Sequence, residues 1–145
     1  MDHVKLAAEL FEGGLNCAQA VAAAFSDVTG IPRETSARMV SGFGGGMGRM
    51  REVCGAVSGM VFVISNLYGY DKPDQDAQMA VYSIVQDLSA QFRQEAGSII
   101  CRELLKDAPS DPKPTPRTKD FYITRPCTRM VILAAGILED YIKAH

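Results

Sequence analysis

The sequence predicts an all-α fold: a compact multi-helix bundle of about six helices with a glycine-rich loop and a proline-rich arm. Three observations carry that reading. Apolar residues recur at helical spacing along most of the 145 residues, and capping and stop residues bound the segments. No strand alternation of useful length occurs beyond a weak run from Phe121 to Thr124. No internal repeat is visible, and the length fits a single domain over residues 1–145 with a core of ordinary size.

The elements follow in order. From Val4 to Phe11 the apolar positions fall at helical spacing, and Gly13-Gly14 stop the helix. Asn16 is a good N-cap for a second helix, alanine-rich from Cys17 to Phe25, that ends near Thr29-Gly30. Pro32 opens a short helix from about Glu34 to Val40. It runs into Gly42-Phe43-Gly44-Gly45-Gly46-Met47-Gly48, too rich in glycine to hold helix or strand cheaply. Arg51 to Tyr68 is apolar nearly all round, the pattern of a central helix enclosed by others, and Gly55 and Gly59 on one face let a neighbouring backbone come close. Asp74 to Ala96 starts on acidic cap residues, carries Met79, Val81, Tyr82, Val85, Leu88 and Phe92, and stops at Gly97. A shorter helix is expected from Ser98 to Lys106. Pro109, Pro112, Pro114 and Pro116 then punctuate an extended, exposed linker or arm. Pro126 suits the first position of a last amphipathic helix that runs to Ile142.

Composition excludes several classes. With 15 basic and 17 acidic side chains, a formal charge of −2 gives no broad field for nucleic acid or an anionic membrane. The longest apolar runs, Met60 to Ile64 and Met130 to Ala135, fall far short of the roughly 20 residues that span a bilayer, so no direct membrane insertion is expected. Met1-Asp2-His3-Val4-Lys5 lacks the features of a secretory signal, which leads to the expectation of a cytoplasmic protein. Thiols in that compartment are reduced, and four cysteines there point to redox, metal or catalytic use more than to permanent cross-links.

Those cysteines are Cys17, Cys54, Cys101 and Cys127, each at or near an expected helix start. Unpaired N–H groups and the helix dipole favour a thiolate at such positions. Arg49, Arg51, Arg102, Arg125 and Arg129 lie near them in sequence and would act in the same direction, unless they are surface charges paired elsewhere. Buried cysteine also serves simply as a small packing residue. The two histidines, His3 and His145, sit at the chain ends where order is least assured, which disfavours imidazole-assisted hydrolysis and histidine-bearing zinc sites. Glu52 and Glu103 are weak proton-relay candidates, because neighbouring positions on a helix do not share a face with the cysteine. The loop residues Gly45, Gly46, Gly48 and Arg49 are candidates to hold an anion or pass close to a bound cluster at the start of the central helix. They match no nucleotide-binding motif, since Gly48 is followed by Arg49-Met50.

Three blocks in order, Asn16-Cys17-Ala18-Gln19-Ala20-Val21, Gly42 to Arg49, and Cys54-Gly55-Ala56-Val57-Ser58-Gly59, followed by single cysteines at Cys101 and Cys127, carry a resemblance. The chain resembles the C_GCAxxG_C_C family of redox-active proteins over almost its whole length. One departure is Val53, where the family pattern implies Gly before Cys54. The resemblance implies redox use of the four cysteine positions and names no substrate. With the residues, it leads to an expected thiol–disulfide couple in which Cys54 attacks, beside the flexible loop and near Arg49 and Arg51, and any of the other three resolves. Two rivals stay open. The four thiolates could ligate an iron–sulfur cluster or a zinc ion. Alternatively the chain is a non-catalytic partner of a membrane transporter or another redox protein, with the Pro109 to Pro126 arm as the contact.

Overall fold

The computed structural model describes residues 2–106 and 108–145, without the side chains at positions 123 and 124. Among these residues the chain forms nine α-helices and one 3-10 turn, with an isolated antiparallel bridge between Val53 and Ile100 as the one extended pairing. Helix α1 (His3–Glu12) starts where the Asp2 carboxylate accepts the Lys5 N–H at 2.9 Å. Helix α2 (Cys17–Ala24) starts on a reciprocal cap: the Gln19 N–H donates to Asn16 Oδ1 at 2.9 Å and the Asn16 N–H to Gln19 Oε1 at 3.0 Å. Phe25 interrupts the helix expected to continue to Thr29, and a further turn, α3 (Ser26–Thr29), closes on Gly30. Helix α4 (Arg33–Met39) and the 3-10 turn Ser41–Phe43 lead into the glycine loop. Beyond it come α5 (Gly55–Tyr68), α6 (Gln75–Ala96), α7 (Cys101–Leu104), α8 (Lys119–Thr124) and α9 (Cys127–Ala144). Asp74 caps α6 by accepting the Ala77 N–H at 3.1 Å, and Gly97 ends it in the left-handed region.

Helix α5 is packed by α2, α6 and α9, while α1 lies across α2 and α9. Met60, Val63 and Ile64 of α5 join Phe11, Phe25, Phe92 and Leu138 in the core, all essentially out of contact with water. Five buried alanines make α2 thin enough to approach its neighbours on every side. Gly59 completes that approach: a Cβ there would lie 2.7 Å from the Ala18 carbonyl oxygen and 2.9 Å from Val21 Cβ. One turn earlier a Cβ on Gly55 would stand 3.2 Å from Cys17 Cβ. The small residues of the Cys-Gly-Ala-x-x-Gly block therefore bring the start of α5 against the start of α2, and with them two of the four cysteines.

Several expectations change. The central helix begins at Gly55 and not at Arg51, because Arg49 and Arg51 take positive φ (67° and 62°) and Val53 pairs with Ile100. The same bridge shortens the helix expected from Ser98 to Lys106: the Cys54 N–H donates to the Ile99 carbonyl at 2.7 Å and the Cys101 N–H to the Glu52 carbonyl at 2.6 Å. Phe121 belongs to a helix, not to a strand. The arm is largely exposed, as expected, but it is tied to the body. Arg51 Nε donates to the Pro109 carbonyl at 2.9 Å, Arg49 to the Asp111 carbonyl at 2.6 Å, and Arg117 to the Phe11 and Leu15 carbonyls, each at 2.9 Å. His3 is likewise anchored, stacked on Phe25 at 4.3 Å and within 2.9 Å of Asp27 and 3.0 Å of Glu139. No helix among the described residues is long and apolar enough to cross a membrane.

Candidate functional site

All four cysteines line one cavity of about 400 Å³, under the arm and beside the glycine loop. Each stands at a helix start: Cys17, Cys101 and Cys127 are the first residues of α2, α7 and α9, and Cys54 is the residue before α5. Cys17 and Cys127 are half-buried, and each thiol shifts the ionisation of the other, upward at Cys17 and downward at Cys127. Cys54 and Cys101, each 5% exposed, form the deeper wall on either side of the Val53–Ile100 bridge. Arg51 is buried, and its Nη1 lies 3.7 Å from Cys101 Sγ.

Helix-start position alone predicts a thiolate at all four; their surroundings separate them. Cys127 is lowered from 9.0 to about 7 by the hydrogen bond from Cys17, against the cost of burial and with help from Arg125, Arg117 and Arg51. Cys17 moves well upward, because it donates to Cys127, is desolvated and faces the other sulfurs. Cys101 is raised by burial, which the hydrogen bond and charge of Arg51 only partly offset. Burial pushes Cys54 up to about 12, although the Ala56 and Val57 N–H groups at the start of α5 act the other way. The helix terminus is felt there and is outweighed by loss of water.

A raised pKa in the folded state has a defined consequence for Cys54. Its protonated form stabilises the fold fully below the ordinary thiol value of 9.0, and that contribution is lost as pH climbs from there toward about 12. Between pH 8 and 10 the protein is expected to lose about 1 kcal/mol of stability through this group alone. Urea denaturation of the wild type and Cys54→Ala at the two pH values checks this, since the variant keeps every other alkaline titration and lacks this one.

The loop residues Gly45, Gly46, Gly48 and Arg49 all line the cavity. The Gly48 and Arg49 N–H groups donate within the loop, to the Gly42 and Gly44 carbonyls at 2.7 and 3.1 Å, and the Arg49 guanidinium is held by Asp111 and by Thr115 Oγ1 at 2.6 Å. The loop thus shapes the wall and fixes an arginine on its rim. Glu52 pairs with Arg102, and Glu103 accepts from Ser98 Oγ at 2.6 Å, so both carboxylates are engaged away from sulfur. Arg117 was not singled out in the sequence. Its guanidinium sits 4.3 Å from the Phe11 ring and 5.0 Å from that of Phe121, and it joins the cavity wall from the middle of the arm. Its one signal was a cation ten residues before a cysteine, too distant along the chain to read.

Among the described residues no three His, Cys, Asp or Glu groups come together as a ligating set, so four sulfurs share a cavity without forming the closed four-ligand arrangement of zinc or a cluster. Compared with known proteins, residues 15–141 match the family model described as "Putative redox-active protein (C_GCAxxG_C_C)". No curated protein and no solved structure matches. The matched span contains all four cysteines and the whole glycine loop.

Proposed function

We propose, from the premise that this chain belongs to the C_GCAxxG_C_C family, that it is a thiol–disulfide oxidoreductase whose working couple is Cys17 and Cys127. The observation that carries the reading is that Cys17 and Cys127, the first residues of α2 and α9, stand on the wall of one cavity, with the negative charge favoured on Cys127. Cys127 is half-buried at the cavity and near half-ionised at neutral pH, so it takes the role of attacking sulfur that loop position suggested for Cys54. Cys54 is dry and held as a thiol, which makes it a poor nucleophile.

The exchange balances in two displacements. The Cys127 thiolate attacks one sulfur of a substrate disulfide, forming a mixed disulfide and releasing one substrate thiolate. Cys17, adjacent and protonated, then gives its proton to the departing substrate sulfur or to water and attacks Cys127 Sγ. The Cys17–Cys127 disulfide forms and the second substrate thiol leaves. Two electrons pass from the protein thiols to the substrate, and a dithiol donor returns them to reset the couple. The start of α2, fixed by the Asn16–Gln19 cap, and the start of α9 keep the two sulfurs in place for the second step.

Oxidation of the full chain with one equivalent of 2-hydroxyethyl disulfide, followed by peptide mapping, tests the pairing. The expected product is a Cys17–Cys127 cross-link with Cys54 and Cys101 still free. A cross-link between Cys54 and Cys101, or none, overturns the assignment.

A further inference from the structure

Resting on that couple, we propose that the cavity selects small anionic partners, so that the disulfide it reduces is one bearing carboxylates. Four arginines line it, Arg49, Arg51, Arg117 and Arg125, and among the described residues of its wall there is no Asp or Glu. The chain as a whole carries a formal charge of −2, so the positive charge is local to this site.

How the arginines are held decides whether that charge is available. Arg49 has a carboxylate in reach, exposed Asp111 at 3.3 Å. Arg51 donates to the Pro109 carbonyl and to the Cys101 sulfur, and Arg117 to the Phe11 and Leu15 carbonyls and the Tyr122 hydroxyl at 3.2 Å. Neutral acceptors fix a guanidinium without cancelling its charge. Arg125 stands 5.6 Å over the Phe121 ring, directly before Pro126 and the attacking Cys127. The pair nearest in sequence, Arg102 with Glu52, is self-neutralised and lies outside the wall. One thiolate at Cys127 cannot balance the surplus. Apolar walls from Phe11, Leu104, Leu105 and Met130 lower the local dielectric, which strengthens the field on an entering anion. A volume of about 400 Å³ suits a small molecule and excludes a folded partner from the bottom of the site.

Two alkylating reagents of similar size read the charge of the site directly. Iodoacetate is anionic and iodoacetamide neutral, and the same ionised sulfur displaces iodide from both, so the ratio of their rates at Cys127 is independent of how much thiolate is present. That ratio, measured on the full chain by peptide mass spectrometry, is expected to exceed the ratio for 2-mercaptoethanol by at least about tenfold and to fall as salt is raised. Arg125→Gln should lower it and Arg125→Lys should keep it. A ratio equal to that of the free thiol, unmoved by salt, overturns the inference, and this readout needs no variant to fold. A second arm compares 3,3′-dithiodipropionate, 2-hydroxyethyl disulfide and cystamine, which are anionic, neutral and cationic disulfides. Reduction is expected fastest for the first and slowest for the last. Equal rates for all three overturn the selectivity and leave the Cys17–Cys127 couple standing. A raised alkylation ratio with none of the three reduced keeps the anion-selecting pocket and removes the couple.

Discussion

Cys127→Ser is expected to cut disulfide turnover at pH 7 to less than about one-hundredth of the wild-type rate, because it removes the ionised sulfur, leaves Cys54 and Cys101 held as thiols by burial, and leaves Cys17 without its partner. The wild-type pH profile identifies the same group independently. With a pKa of about 7, the thiolate fraction of Cys127 climbs from about 1% at pH 5 to about 90% at pH 8 and then levels off. The rate of single-hit alkylation should follow that curve, falling as acid protonates the sulfur. An ordinary thiol would still be gaining between pH 8 and 10. Cys17→Ser makes the complementary case: the attack persists and the mixed disulfide on Cys127 accumulates, visible as a mass increase equal to half the substrate. A variant lacking Cys127 that turns over normally, or a profile that climbs through pH 9, removes Cys127 from the attacking role.

Gly46→Ala is expected to destabilise the fold by about 2–4 kcal/mol and to open the deeper sulfur wall. Gly46 has φ of +74°, and a Cβ there would lie 2.7 Å from Cys101 Cβ, 2.7 Å from the Glu52 nitrogen and 2.8 Å from Arg51 Cα. None of these is the tip of a flexible side chain, so the loop must part from the Val53–Ile100 bridge. Gly48 gives the contrast. Its φ is +59°, but the nearest atom to an added Cβ is 3.9 Å away, so Gly48→Ala should cost only the backbone preference, about 1 kcal/mol. Urea denaturation of both variants, with a count of thiols labelled under native conditions, separates the two effects. Equal losses at the two positions would mean that the close approach to Cys101 and Arg51 is not what holds the loop.

The local sequence was a good guide wherever the signal and its consequence lie within a turn of each other. Asn16 and Gln19 cap α2, Gly97 ends α6 and Pro126 precedes α9, as short-range hydrogen bonding and fixed φ require. The spacing of Gly55 and Gly59 announced a close helix contact, and packing against Ala18 and Val21 is that contact. Errors arose where a distant strand of chain competed for the backbone. Residues 51–54 and 99–102 would each be helical on their own pattern, yet their backbones hydrogen-bond to one another across the bridge. The arm read as a connector because prolines say only that a segment is extended; Arg49 and Arg51, which tie it down, reach it from 58 to 66 residues away in sequence.

What the sequence by itself determined is the all-α architecture and the four helix-start sulfurs, because periodicity, capping and glycine placement act through neighbours in the chain. Which sulfur carries charge was decided only by the tertiary structure. Desolvation raises Cys54 despite its helix terminus, while a hydrogen bond from Cys17 and the guanidinium charges of Arg125, Arg117 and Arg51 lower Cys127. Thiol ionisation answers to water and charge within a few ångströms, and here those neighbours come from the glycine loop, the arm and the start of α2.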